Sequence, residues 1–397
     1  MRVIHCDGSP AAVGELEVAL RATLGGGESL AALGPGQAPP ARDPGPGQVV
    51  MTTSGSTAAS KRVQLHADAM RTSAAATHAR LGGPGRWLLA LPVQHVAGLQ
   101  VLVRAALAGV RTEVLDLRGG FEPTGFGFAA RRLAGRGRCY TALVPTQLDR
   151  LLDVDPGALI GFDAVLLGGA AAPDGLVRRA RAAGVRVVCT YGMTETTGGC
   201  VYDGRPLDGA RIRLTGDGRA RDGAAGVGAA GVEAAGVGRI ELAGPMLATG
   251  YLDTDEETAA AFRGGWFLTS DLGRLDEQGR LQVLGRADDI IVTGGINVAP
   301  AEVEAVLAGL PEVAAACVVG LPDPEWGQRV AAAVVPAEPA RPPDPEALRA
   351  AARCQLTGAQ TPKEIVLLDA LPLHGVGKPD RSAVRTLVSA REWQSVL

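Results

Sequence analysis

Apolar positions in this chain come in short continuous blocks rather than in strict alternation. Trp87 to Pro92, Tyr140 to Val144, Ala164 to Leu167 and Val185 to Thr190 are four such runs. Each is bounded by turn-forming residues and predicts a strand buried on both faces. Between them lie stretches with helical character: Leu65 to Leu81, closed by Gly82-Gly83-Pro84; the apolar segment after Val93-Gln94-His95-Val96-Ala97-Gly98-Leu99; Phe128 to Leu133; and a segment from Gly168-Gly169 to Ala183. Thr112 to Leu117 adds a further strand. Buried strands alternating with helices imply an α/β fold with a largely parallel sheet covered on both sides. In such sheets ligands collect beyond the carboxyl ends of the strands, where the polar loops of this chain fall.

The flanks follow other patterns. Residues 1–48 predict one helix, Ala11 to Leu24, and then a Gly/Pro-rich linker. Residues 216–237 form a Gly/Ala/Val tract with an imperfect Ala-Ala-Gly-Val repeat, which predicts a flexible loop between two strands. Arg239 to Leu242 and Leu281 to Leu284 predict a small β-rich subdomain. After Gly285-Arg286-Ala287-Asp288-Asp289 come a helix (Pro300 to Leu307), two strands (Val313 to Val319, Val330 to Val334), a helix (Pro345 to Gln355) and a strand (Glu364 to Leu368). The pattern divides the chain into a large domain over 1–285 and a small α+β domain over 286–397.

Composition narrows the classes. Hydrophobic residues make up 46% of the 397 and charged residues 20%, ample for a packed soluble core. The net charge of −3, without a basic stripe, argues against a nucleic-acid surface. No apolar run approaches the roughly 18 residues of a membrane span, and no signal-peptide core opens the chain. The six cysteines are scattered without metal-type spacing, which reads as buried apolar residues in a reducing cytoplasm. The 39 basic residues include only three lysines: Lys61, Lys363 and Lys378. Guanidinium does not replace a compact ammonium where geometry matters, so a surviving lysine is a functional candidate.

One of the three closes the stretch Met51-Thr52-Thr53-Ser54-Gly55-Ser56-Thr57-Ala58-Ala59-Ser60-Lys61. Hydroxyls and free backbone N–H groups in a tight loop suit the oxygens of a polyphosphate, and the lysine adds a point charge. The stretch lacks the glycine before and the hydroxyl after the lysine that mark the common phosphate loop.

Taken in order, seven segments resemble the adenylate-forming enzymes, the superfamily of acyl-CoA synthetases, peptide-synthetase adenylation domains and firefly luciferase. They are the loop at 53–61, LPVQHVAGL (91–99), YGMTET (191–196), GPMLATGY (244–251), WFLTSD (266–271), GRADDIIVTGGINVAPAEVE (285–304) and HGVGKPDR (374–381). The resemblance implies a large N-terminal domain and a small mobile C-terminal domain. It implies a reaction in which a carboxylate attacks the α-phosphate of Mg·ATP and a thiol, coenzyme A, then displaces AMP.

It also implies the site. Lys378 matches the catalytic lysine, Thr194 a residue holding the α-phosphate, and Glu195 the Mg²⁺ ligand. Thr53, Ser54, Gly55, Ser56, Thr57 and Lys61 match the phosphate loop; Gly168, Gly169 and Ala170 match the segment beside adenine, and Tyr191, Gly192 and Met193 are further ATP/AMP-binding positions. Asp271 matches the ribose-binding aspartate and Arg286 a ribose or phosphate contact. His95 borders the acyl pocket. Asp288 stands at the hinge of the C-terminal domain, and Gly294 and Gly295 at the thiol tunnel. Homodimers are common in such families.

The chain departs from the pattern at Ala58 and Ser60, where glycine and proline are usual, and at Ser270 in place of glycine. An alanine forced to positive φ costs about 1 kcal/mol or more. Only about fifty residues precede the loop, a much reduced N-terminal lobe. Short chains of this type resemble actinobacterial 2-succinylbenzoate–CoA ligases of menaquinone synthesis. That acid carries a second carboxylate needing a cation, and the sequence does not single one out. Other readings are a CoA ligase for another aryl or fatty acid, a module loading a carrier protein, and a nucleotide-binding protein without catalysis.

Overall fold

The computed structural model describes residues 1–53, 61–133, 135, 137–216, 236–374 and 378–395, of which 374, 378 and 391–395 by backbone alone. The loop residues Ser54, Gly55, Ser56 and Thr57, together with Ala58, Ser60 and most of the low-complexity tract, lie outside the described residues.

The central layer is a seven-stranded sheet. Its spatial order is Arg205–Pro206, Gly198–Tyr202, Val187–Met193, Ala164–Leu167, Cys139–Leu143, Arg86–Leu89 and Glu113–Val114. The five strands from Val187–Met193 to Glu113–Val114 are parallel, and the two at the other edge are antiparallel. Trp87, Tyr140 and Leu166 pack on one side of it with the helix Val96–Leu107, while Leu88, Leu143 and Val165 pack on the other with Phe126 and Leu148. Adjacent residues in a strand serve opposite cores, which is why these runs read as continuously apolar.

A second sheet corrects the reading of the amino-terminal region. Residues 25–48 are not a plain linker, because Leu30–Leu33 is a strand between Arg2–His5 and Gln48–Thr52, parallel to both. The helix Pro10–Leu24 joins the first two, capped by Ser9 Oγ accepting from Ala12 N at 3.2 Å. The helix expected from Leu65 begins instead at Ala67 and runs to Arg80. Arg62–His66 is a strand antiparallel to Gln48–Thr52, with Val63 and Leu65 buried and Arg62 and Gln64 half-exposed. That period-two pattern outweighs the helical run that follows it. Gly250–Tyr251 completes this sheet on the far side of Arg62–His66.

A third sheet is antiparallel, in the order Arg211–Thr215, Gly238–Ala243, Trp266–Leu275, Phe262–Arg263, with Leu281–Arg286 also on Trp266–Leu275. From Ile291 onward the chain builds its own cores. Ile291–Thr293, Ile296–Val298, Val313–Asp323, Gly327–Pro336 and Glu364–Leu367 form one sheet; the helices Pro300–Ala308 and Pro345–Arg353 pack on one face and Arg381–Ser395 on the other. The result is a large α/β part and a small α+β part. The cysteines are not uniformly buried: Cys354 is exposed at the end of the helix Pro345–Arg353, and Cys189 is half-buried.

Candidate active site

Val187–Met193 carries the centre of the site. Tyr191, Gly192 and Met193 belong to this strand rather than to a loop, because Gly198–Tyr202 folds back on them antiparallel. The strands close so tightly that a Cβ on Gly192 would stand 2.1 Å from Gly198 O. Thr194–Thr196 makes the intervening 3₁₀ turn, fastened by Met193 N to Thr196 Oγ1 at 2.9 Å and Thr197 N to Thr194 O at 2.9 Å. Thr197 is left-handed at φ 55°, an outlier for a β-branched residue, and is pinned by its hydroxyl donating to Met246 O at 2.6 Å.

Two networks leave this turn. In the first, Tyr191 Oη donates to Asp271 Oδ2 at 2.7 Å. Burial, then the neighbouring carboxylate, holds the phenol well above its ordinary pKa, so it stays a donor. Asp271 lies inside the strand Trp266–Leu275, with Arg286 opposite it on Leu281–Arg286. Its backbone N donates to Thr269 Oγ1 at 3.0 Å. Two expected nucleotide contacts, Asp271 for the ribose and Arg286 for ribose or phosphate, therefore stand opposite each other on paired strands. Arg286 also pairs with the exposed Asp288 at 3.4 Å.

In the second network, Tyr251 Oη donates to Glu195 Oε1 at 3.0 Å. Lys61 Nζ stands 4.7 Å over the Tyr251 ring and 3.3 Å from Glu257 Oε1. Burial raises the Glu195 pKa, while Tyr251 and Lys61 pull it down. The two ends of the phosphate-type loop are tied together: Thr53 N donates to Lys61 O at 2.8 Å, and Lys61 N to Thr53 Oγ1 at 3.1 Å. Tyr251 and Glu257 were not singled out from sequence, although Tyr251 ends the GPMLATGY segment.

The remaining candidates are placed as follows. Gly168, Gly169 and Ala170 follow the central strand Ala164–Leu167, next to Val187–Met193, with Gly169 at φ +82°. His95 is the residue before the helix Val96–Leu107 and accepts from Leu99 N through its carbonyl at 3.0 Å. Gly294 and Gly295 form the turn between Ile291–Thr293 and Ile296–Val298, where Gly294 N donates to Trp326 O at 2.9 Å. The Lys378 backbone pairs with His374 in a two-stranded ribbon, and its side chain lies outside the described residues. Three residues on, Arg381 grips both Glu304 oxygens (Nη2 to Oε2, 3.0 Å), donates to Val318 O at 2.8 Å and lies 3.4 Å from Asp289.

A buried polar group beside the central sheet was also missed. Among the described residues, six buried side-chain polar atoms lack a hydrogen-bond partner, and five of them cluster: His78 Nε2, Trp87 Nε1, both amide atoms of Gln100, and Arg104 Nε. Arg104 is 3% exposed, lies 5.1 Å over the Trp87 ring and donates to Tyr202 Oη at 3.3 Å. No carboxylate pairs with it among the described residues, and burial lowers its pKa. Burial, then Arg104, lowers His78 to about 4. The signal was available: Gln100 and Arg104 are the polar residues, four apart, on the otherwise apolar helix Val96–Leu107.

The sequence model of the AMP-binding enzymes matches residues 8–252, and that of the AMP-binding enzyme C-terminal domain matches 302–378. This chain belongs to the AMP-binding enzyme family. A member from Mycobacterium tuberculosis, a probable 2-succinylbenzoate–CoA ligase, is 46% identical over 341 residues, 85% of this chain and 83% of that protein. Among solved structures, the amide bond synthetase McbA from Marinactinospora thermotolerans superposes with a TM-score of 0.80 at 26% identity, covering 97% of this chain and 89% of that one. The O-succinylbenzoate coenzyme A synthetase of Bacillus subtilis, in complex with AMP, gives 0.72 at 30% identity, covering 85% and 68%. That enzyme has also been solved with ATP and a magnesium ion. The two matched segments fall on the large and small parts of the fold.

Proposed function

We propose that this AMP-binding enzyme is an AMP-forming acid–CoA ligase acting on 2-succinylbenzoate. Its kinship with the Mycobacterium tuberculosis and Bacillus subtilis enzymes supports the reaction, and one structural observation carries the substrate. Arg104 is a fully buried cation with no acidic partner among the described residues, on the helix that begins beside His95. A buried, uncompensated charge is strongly unfavourable unless an anion arrives to meet it. The second carboxylate of an aromatic dicarboxylic acid is such an anion.

The remaining roles follow from position. Thr53 and Lys61 close the loop that holds the β- and γ-phosphates, with Ser54, Gly55, Ser56 and Thr57 within it. Thr194 meets the α-phosphate, Asp271 and Arg286 the ribose, and Gly168, Gly169, Ala170, Tyr191, Gly192 and Met193 surround the adenine. Glu195 fits Mg²⁺: the ion takes one or two protein carboxylates and completes its shell with phosphates and water, so a single hard oxygen ligand beside the loop suffices. When bound, the ion withdraws charge from the phosphate oxygens. Lys378 approaches the acid carboxylate and α-phosphate together. The carboxylate oxygen attacks the α-phosphorus as the bond to pyrophosphate breaks; the thiol of CoA then attacks the acyl carbon and AMP leaves. Fixed dipoles and cations lower the barrier to bringing two anions together. Residues 286–397 form the lid, turning at Asp288 to bring Gly294 and Gly295 to the thiol tunnel. A cytoplasmic homodimer belongs to this reading; fractionation and light scattering test it.

The test is pyrophosphate release from Mg·ATP with a panel of acids, with and without CoA. Release with 2-succinylbenzoate, giving a thioester once CoA is added, is expected; Arg104→Gln should lose this acid by about 10²-fold while sparing monocarboxylates. Turnover of a different acid alone would discard the substrate. The likeness to McbA supports one second reading, in which an amine takes the acyl group; AMP release driven by amines rather than CoA would favour it.

A further inference from the structure

The helix Val96–Leu107 lies along Gly198–Tyr202, and its contacts set an order. Gly198, three residues after Glu195, faces Gln100: a Cβ built on the glycine would lie 3.2 Å from Gln100 Cγ and 3.8 Å from Val96 Cγ2. At the far end of the same strand Tyr202 meets Arg104 at 3.3 Å. Val96, Gln100 and Arg104 are spaced four apart, so they form one stripe of the helix. Along this stripe, Gln100 stands between the Thr194–Glu195 turn and Arg104.

Gln100 is 0% exposed, and neither amide atom has a hydrogen-bond partner among the described residues. Leaving a primary amide unsatisfied in a core forfeits its hydration with nothing in return, so such a group is expected to meet a ligand or water. The site takes an acceptor most readily, because its other orphaned atoms include the Trp87 Nε1–H and Arg104 Nε–H donors. In 2-succinylbenzoate the ketone stands midway between the activated carboxylate and the ring carboxylate. The order of groups in the acid matches the order of side chains along the stripe.

We infer that Gln100 is a specificity-determining residue whose amide N–H donates to the ketone oxygen of the acid, between the reacting end at Thr194–Glu195 and the second carboxylate at Arg104. This rests on the substrate proposed above. It adds that the enzyme reads the linker of the acid as well as its two ends. A site built to hydrogen-bond a substrate group discriminates strongly against analogues lacking it, because its own polar group is then left unpaired.

The experiment compares 2-succinylbenzoate with 4-(2-carboxyphenyl)butyrate, in which a methylene replaces the ketone, in the wild type and in Gln100→Met and Gln100→Ala. The readout is kcat/KM for pyrophosphate release. The wild type should favour the ketone acid by about tenfold or more, and both variants should bring the ratio within about twofold of unity. The ratio is taken within each protein, so a loss of folded enzyme cancels. A wild-type-sized preference in both variants, or none in the wild type, overturns the inference and leaves the ligase reading standing. Absence of pyrophosphate release from the wild type with either acid, while another acid is turned over, overturns the substrate reading and this inference with it.

Discussion

The phenol of Tyr251 donates to the Glu195 carboxylate across 3.0 Å, joining the edge strand of one sheet to the turn at the end of another. The same ring lies under Lys61, so one aromatic residue orients the proposed magnesium ligand and the proposed phosphate cation. Tyr251→Phe keeps the ring and removes the hydrogen bond to a charged group, worth about 1.5–3 kcal/mol. The Mg²⁺ concentration for half-maximal adenylation should rise about tenfold, with little change in KM for the acid. An unchanged magnesium requirement would separate Tyr251 from Glu195.

Lys378→Ala should slow adenylation by about 10²-fold or more while thioester formation from preformed acyl-adenylate persists. Single-turnover assays of each half-reaction measure this directly. Equal loss in both would remove the assigned role.

Asp288 is exposed, and its contact with Arg286 is long, the kind of ion pair that contributes about 0–1 kcal/mol. It can break without a large barrier, as a turning point requires. Asp288→Pro fixes φ there, and thioesterification should fall while pyrophosphate release continues. Undiminished thioesterification would place the hinge elsewhere.

His78 should remain neutral far into acid. Its folded pKa is about 4 against an ordinary 6.5, so between these values the unfolded chain binds a proton that the folded chain refuses. The stability contribution is complete above pH 6.5 and declines as pH falls towards 4, by up to about 1.4 kcal/mol per pH unit. An NMR titration of the imidazole, assigned with His78→Gln, checks it; a midpoint near 6.5 would contradict the burial.

The sequence made the central strands legible because each is apolar on both faces, and the helices between them because alanine and leucine recur there. It hid what depends on pairing. Leu30–Leu33 is four residues inside a Gly/Pro-rich stretch and is a strand only because two neighbours flank it. Tyr191 to Met193 looked like loop because glycine and polar residues follow, yet an antiparallel return holds them extended. Asp271 was found through its motif, whereas its partner Tyr191 is 80 residues away and only the fold joins them. Arg104 was passed over among many arginines, although its place four residues after Gln100 on an otherwise apolar helix set it apart.

Arg381 gives the small domain a property of its own. It clasps Glu304 with two nitrogens, takes Val318 O and reaches Asp289, so the segment just after Lys378 is bolted to the helix Pro300–Ala308 and to the residue beside the proposed hinge. A turn at Asp288 would then be transmitted to that segment rather than absorbed by slack in the chain. The lysine would be carried like a tool on a turret, presented or withdrawn by the angle of the mount.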